Sequence, residues 1–281
     1  MSTHIEPLRV RWNEVDAQGI VFNAQYLAYL DVASTGYWRA LGLPYPMALQ
    51  AFGADVVLGS CALDFRAPAR FDEQLHCVMG LQALGRTSVT LSATLRRGHV
   101  VLLTAEMRYV VVDATSLQPV PIPEALRQAI QAFEDGQAMV QVQVGAWEAL
   151  GGDAQPIRQQ VFVSEQGIAA DLEWDGADPD CTHAVAYNRV GQALATGRLL
   201  EHVPGTAKVG RMAVLPAARG TGVGAQVLEA LMQAARQQGF RQVLLHAQAS
   251  AVGFYRRAGF VARGAPFEEA GIEHQEMVRS L

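Results

Sequence analysis

Residues 210–231 read GRMAVLPAARGTGVGAQVLEAL, and the turn RGTGVG at 219–224 decides how the second half of the chain is built. It stands between an apolar run, RMAVLP, and a segment of helical periodicity, AQVLEALMQAARQQG. A glycine-rich turn leading from a strand into a helix suits an anion. The first N–H groups of a helix lack intrahelical acceptors, and the helix dipole favours negative charge there. A Walker A loop would need Gly-Lys-Ser/Thr, but Gly224 is followed by Ala225 and Gln226. A Rossmann turn would need G-x-G-x-x-G, whereas the spacing here is G-x-G-x-G, with no βαβ unit opening the domain. Arg-x-x-Gly-x-Gly remains, comprising Arg219, Gly220, Thr221, Gly222, Val223 and Gly224. The N–H groups of Thr221 to Gly224 are expected to converge on an anion, with the glycines allowing close approach of the backbone. The same glycines would also serve a tight turn without a ligand.

Working outward, the second half alternates strands and helices. AMVQVQVGAWEAL alternates like a strand, 155–167 reads as a helix, and DLEWDGADPD is polar and turn-rich. Strands are expected at 182–188, 191–201 and 207–215, and a helix at about 222–238. A strand at 242–247, a short helix at 250–258 and strands near 260–264 and 274–279 follow. The first half has a different order. A strand is expected at 8–12 and a helix at 24–41, with Leu27, Leu30, Ala33, Trp38 and Leu41 on its apolar stripe and Gly42 and Pro44 stopping it. Four strands at 54–66, 72–84, 87–97 and 100–113 lead to a helix at about 123–135. The fold class is therefore α+β in two domains, 1–137 and 138–281: an antiparallel sheet around one long helix, then a mixed sheet with flanking helices. Because the element orders differ, the chain is a fusion and not a duplication.

Composition sets limits on function. The 281 residues suffice for two domains, and half of them are apolar. The net charge of −5 is spread evenly over the halves, which argues against a nucleic-acid partner. No apolar run approaches the ~18 residues of a membrane helix, so no membrane insertion is expected. MSTHIEPLRVRWNE lacks the apolar core of a signal peptide, and the expected location is cytoplasmic. Cys61, Cys77 and Cys181 fit neither a disulfide framework nor a zinc site. His246 and His274 have no second ligand at metal spacing, and no metal is expected.

The segment 210–231 resembles the acetyl-CoA-binding motif of the GNAT N-acyltransferase superfamily, and SAVGFYRRAGF resembles its tyrosine-bearing helix. QVFVSEQ, DLEWDGADP, ATGRLL and FEEAGIEHQEM are similar to the ElaA-like branch. This resemblance covers about 140–281. It implies a sheet splayed at its middle with coenzyme A, as acetyl-CoA, in the splay. The pyrophosphate would lie on Arg219 to Gly224, and the pantetheine along Met212, Ala213 and Val214. The reaction implied is direct attack of an acceptor amine on the acyl carbonyl, with Tyr255 as the acid for the leaving thiolate. Tyr255 also reads as a packing residue. Glu165, Glu201, His202 and His246 are the candidate bases.

In VRWNEVDAQGIVFNAQYLAYLDVASTGYWRALGLPYP, 10–46, a loop carrying Asp16 and Gly19 runs into a helix that begins near Asn23 or Ala24. A loop aspartate commonly forms a turn. It can also attack a carbonyl, or activate water toward one, that the helix N-terminus polarises. The segment resembles the 4-hydroxybenzoyl-CoA thioesterase-like branch of the hotdog superfamily, YbgC-like enzymes included, on Asp16, Gly19, Val21 and Tyr26. The resemblance implies Asp16 as the catalytic carboxylate, with the N–H at about Asn23 as the donor to the carbonyl. It also implies a site between protomers of a homodimer or homotetramer. Glu14 stands where many relatives have Asp, Asn23 where YbgC-like members often carry His, and Asp-Val-Ala-Ser at 31–34 is closer to the aromatic-acyl enzymes. The leading reading is a bifunctional enzyme that hydrolyses acyl-CoA and transfers an acyl group to an amine. The rivals are a chain with one active domain beside a CoA-binding or assembly module, and a non-catalytic acyl-CoA sensor.

Overall fold

The computed structural model describes residues 3–281, which form two compact units dividing between Met139 and Val140. The first is α+β. Its strands are β1 (His4–Arg9), β2 (Ala54–Phe65), β3 (Gln74–Leu84), β4 (Ser88–Arg97) and β5 (Val100–Asp113). They form an antiparallel sheet in the order β1-β3-β4-β5-β2. The helices are α1 (Gln25–Ala40), α2 (Met47–Gln50) and α3 (Glu124–Glu134). Alternate residues of the inner strands are buried: Leu75, Cys77 and Met79 on β3, and Val89, Leu91, Ala93 and Leu95 on β4. Each large apolar side chain so buried is worth about 1.5–3 kcal/mol, and a slip of one residue would expose the whole set.

α1 lies against this face through Tyr26, Tyr29, Leu30, Ala33, Tyr37 and Trp38. The expected stripe is corrected at one position. Leu27 is exposed, because the helix is rotated to bury its tyrosines instead. The strand expected at 8–12 also lies earlier, at His4–Arg9, and Trp12–Glu14 forms a 3-10 turn. β1 is an edge strand that turns His4, Glu6 and Leu8 to its half-buried side, so its polar-rich alternation carries little apolar signal.

The second unit comprises β6 (Val140–Gly145), α4 (Trp147–Arg158), a π-helical segment (Gln159–Glu165), α5 (Ala170–Glu173), β7 (Thr182–Asn188), β8 (Ala193–Val203) and β9 (Thr206–Val214). Then come α6 (Val223–Gln237), β10 (Gln242–Gln248), α7 (Val252–Arg257), β11 (Val261–Ala262), β12 (Phe267–Glu269) and β13 (Ile272–Ser280). The sheet order is β11-β13-β10-β9-β8-β7-β6, with β12 paired to β13. The helix expected at 155–167 starts earlier, at Trp147, and changes to π-helical geometry after Arg158. Gly151 and Gly152 weaken its propensity. A Cβ at Gly151 would stand 2.6 Å from the Trp147 ring, so packing overrides propensity here.

All strand pairs in this sheet are antiparallel except β9 with β10. Those two run parallel and pair over three positions, the last being Leu244 with Lys208. Beyond it the ladder is broken. α6 covers the sheet with Val223, Val227, Leu228, Leu231 and Met232. No helix among the described residues is long and apolar enough to cross a membrane.

Candidate functional site

The break between β9 and β10 opens a cavity of about 520 Å³. Gly210, Arg211 and Met212 of β9 and His246 and Gln248 of β10 line it, as does Tyr255 of α7. β9 carries a bulge here. Gly210 faces Arg198 and Ala213 faces Thr196, so Arg211 and Met212 together oppose Gly197, and Arg211 takes φ +52°. Tyr255 is 7% exposed. Its hydroxyl has no hydrogen-bond partner among the described residues, and burial alone pushes it up to about 12. Gly259 ends its helix in the left-handed conformation, with Phe260 N–H donating to the Tyr255 carbonyl at 3.0 Å.

RGTGVG runs into α6 as expected. Gly220 and Gly222 have φ of +81° and +85°, with nothing within 4 Å of an added Cβ, so backbone conformation is what demands glycine there. Gly224 serves packing, since a Cβ would come 3.1 Å from Val214. The backbone N–H groups of Gly220, Thr221, Gly222, Val223 and Gly224 donate to no acceptor among the described residues. Five consecutive free donors at a helix start have the geometry that suits an anion. The Arg219 side chain is engaged elsewhere. Nη1 and Nη2 donate to both Glu165 oxygens, at 2.7 and 2.6 Å, and Nε donates to the Val214 carbonyl at 3.1 Å. The hydrogen bonds from Arg219 hold the Glu165 carboxyl below the usual carboxylate range.

The polar stretch 171–180 proves to be one wall of the cavity, through Leu172, Glu173, Asp175 and Ala177. Its carboxylates are held by three arginines from α4, β8 and β9. Arg158 binds Glu173 (2.5 Å) and Asp178 (2.8 Å) and is packed between the rings of Trp147 and Trp174. Arg198 binds Asp175 and Asp178, and Arg211 binds Glu173 and Asp175. Hydrogen bonding to Arg198 holds the Asp175 carboxyl well below its ordinary value. Sequence reading did not find this network. Its trace was five carboxylates in a stretch that contains no basic residue, three of which, Glu173, Asp175 and Asp178, join the network.

In the first unit Asp16 opens a tight hairpin closed by a bridge between Val15 and Val21, with Gly19 at φ +72°. Its Oδ1 accepts the Gln18 N–H at 2.8 Å. The turn role and an available Oδ2 therefore coexist. α1 begins at Gln25, and the N–H groups of Asn23 and Ala24 have no acceptor among the described residues. Below the hairpin Glu14 is buried. It accepts from the Arg11 N–H (2.7 Å), the Tyr29 hydroxyl (2.6 Å) and Gln25 Nε2 (3.3 Å), tying the hairpin to α1. Tyr26 likewise accepts the Ala69 N–H at 3.0 Å. A cleft of about 640 Å³ between β1 and α1 has Glu14 and Tyr29 on its wall, and Asp16 and Asn23 lie outside it. Trp12, Phe22, Leu27, Phe65 and Phe71 are exposed, and β2 is an edge strand with Val57 and Leu58 outward. No cluster of three or more His, Cys, Asp or Glu able to hold a metal ion occurs among the described residues.

A family model of the GNAT acetyltransferase domain matches residues 161–281, and one of the thioesterase-like superfamily matches residues 10–130. The chain is similar to the uncharacterized N-acetyltransferase YjcF of Bacillus subtilis, 34% identical over 128 residues that make up 45% of this chain and 90% of that one. It is similar to the uncharacterized protein YyaT of the same organism, 32% identical over 132 residues, 46% of this chain and 88% of that one. It is also similar to the acyl-CoA thioesterase YbgC of Haemophilus influenzae, 26% identical over 123 residues, 44% of this chain and 90% of that one.

Proposed function

We propose that this chain, which belongs to the GNAT acetyltransferases through its second unit and to the thioesterase-like superfamily through its first, is a bifunctional CoA-dependent enzyme. Residues 1–137 hydrolyse acyl-CoA thioesters, and residues 138–281 transfer an acyl group, typically acetyl, from CoA to an amine. The observation that carries the reading is the broken ladder between β9 and β10, with Tyr255 on its wall and five free N–H groups beyond its end.

In the transferase the open edge of β9 at Met212, Ala213 and Val214 pairs with the pantetheine amides. The pyrophosphate takes the N–H groups of Gly220 to Gly224. Arg219 acts through its side chain, whose bonds to the Val214 carbonyl and to Glu165 fix the end of β9 where the turn begins. Tyr255 is protonated at neutral pH, burial only raising the pH at which it would ionise, and it gives that proton to the departing thiolate. In the thioesterase Asp16 attacks the acyl carbonyl or activates water toward it, and the N–H at Asn23 stabilises the oxyanion. The cleft between β1 and α1 lacks both residues, so this site is completed by a second copy, in a homodimer or homotetramer. The unpaired edge of β2 and the exposed apolar residues around the hairpin suit such an assembly.

The test is a panel of acyl-CoA thioesters assayed for free thiol, with and without amines, in wild type and Asp16→Asn. The amide oxygen introduced by this substitution can still accept the Gln18 N–H, so the hairpin is kept. Amine-independent thiol release is expected to disappear in the variant while amine-dependent release persists. Undiminished hydrolysis by the variant sinks the thioesterase assignment.

A further inference from the structure

Attack on the thioester needs the acceptor nitrogen freed of a proton, so the transferase requires a base. Of Glu165, Glu201, His202 and His246, only His246 lines the cavity that contains Tyr255. Glu165 is bound at both oxygens by Arg219. Glu201 and His202 are exposed at the far end of β8. The β9–β10 rungs end at Lys208 and Leu244. Two residues further along each strand stand Gly210 and His246, so His246 faces the β9 bulge across the gap.

The groups around the imidazole are well defined. Nδ1 lies 3.1 Å from Glu269 Oε2 of β12 and 3.3 Å from Lys208 Nζ of β9. Glu276 Oε2 of β13 is 3.8 Å from Nε2, beyond hydrogen-bond reach, and Glu276 is itself bound by Arg263 at 2.5 Å. Phe267 is T-shaped to the ring at 4.9 Å and is itself stacked with His274 at 6.0 Å. In the tautomer whose Nδ1–H donates to Glu269, Nε2 carries the free lone pair, and it has no hydrogen-bond partner among the described residues.

We infer that His246 is the general base of the acyl transfer, with Glu269 and Lys208 as positioning residues that hold its ring through Nδ1; the inference rests on the acyltransferase reading of the second unit. The acceptor nitrogen gives its proton to Nε2, and its lone pair forms the N–C bond. The C–S bond breaks, and the thiolate takes the Tyr255 proton. The imidazolium then loses its proton to solvent, from which Tyr255 is reprotonated, so amine and thioester become amide and thiol.

The experiment measures kcat/KM against pH for acetyl transfer by the full chain, using one amine acceptor throughout so that its own titration is common to all variants. Asp16→Asn serves as the background to suppress hydrolysis. His246→Gln is expected to lower the rate about 10²–10³-fold, to lose the acid limb, and to bind acetyl-CoA as before by calorimetry. Glu269→Gln should move the acid limb to lower pH and Lys208→Met to higher pH, a pair of opposite shifts that loss of packing does not produce. The exposed His202→Gln should match the background. An unchanged His246→Gln enzyme overturns the assignment. So does a slow one that keeps its acid limb or loses acetyl-CoA binding, and so does an acid limb that vanishes in His274→Gln instead. If the background enzyme transfers acetyl to no amine of the panel, the acyltransferase reading falls and this assignment falls with it.

Discussion

Tyr255→Phe separates chemistry from packing. The ring is held edge-on by Phe254 at 4.9 Å and Phe260 at 6.0 Å, contacts that phenylalanine keeps. The hydroxyl has no partner among the described residues but opens on the cavity, so removing it changes stability by no more than about 1 kcal/mol. The variant should therefore be as stable as wild type or up to about 1 kcal/mol more stable, a Tm rise of no more than about 3 °C. Acetyl transfer should fall by about 10²-fold, or ~2.7 kcal/mol in the barrier, because the thiolate then leaves without an acid. The assay is thiol release with an amine in the Asp16→Asn background, alongside a thermal melt. The pH behaviour has a definite sign. The folded tyrosine keeps its proton from the ordinary value of 10.0 up to about 12, so its share of stability is intact below pH 10 and lost as pH rises toward 12. The phenylalanine variant lacks that share of the alkaline loss. A Tm drop of more than about 3 °C would show that the hydroxyl supports the fold. An unchanged rate would remove Tyr255 from the chemistry.

Two further outcomes follow from the glycines. Gly222→Glu puts a side chain at φ +85° and a negative charge beside five free N–H groups, so acetyl-CoA affinity measured by calorimetry should fall at least tenfold; equal affinity would mean that the turn holds no anion. Gly197→Ala places a Cβ 2.5 Å from Met212 Sδ and 2.8 Å from Leu231, which should lower stability by about 1–3 kcal/mol in denaturant melts and raise KM for acetyl-CoA through β9, while a neutral result would mean that the bulge is slack.

The parts of the fold legible in sequence were those with strong periodicity or a strong stop. β4 alternates cleanly and β3 over its first half, and α1, α3 and α6 are followed by glycines. The 219–224 turn was legible because its spacing left a single motif standing. β1 was misplaced because an edge strand turned its polar residues to the half-buried side, and the start of α4 was hidden by two glycines. The candidate sites divided along similar lines. Asp16, Tyr255 and the glycine turn are local signatures. The network of Arg158, Arg198 and Arg211 with Glu173, Asp175 and Asp178 joins residues that are far apart in sequence, and no local window contains both signs of charge. The engagement of Arg219 by Glu165, 54 positions away, was hidden for the same reason.

The three-rung junction between β9 and β10 makes the ligand part of the architecture. Two halves of one sheet meet there over a span shorter than most strands, and the facing edge of β9 has no protein strand to exchange amide protons with. In the binding mode proposed above, a pantetheine chain laid in that gap would serve as the missing strand, and binding and sheet continuity would become the same event. By mass action the loaded protein gains about 2.7 kcal/mol at a hundredfold excess over Kd. That gain should register as slowed deuterium uptake at Met212 to Val214, even when the cell offers no acceptor to acylate.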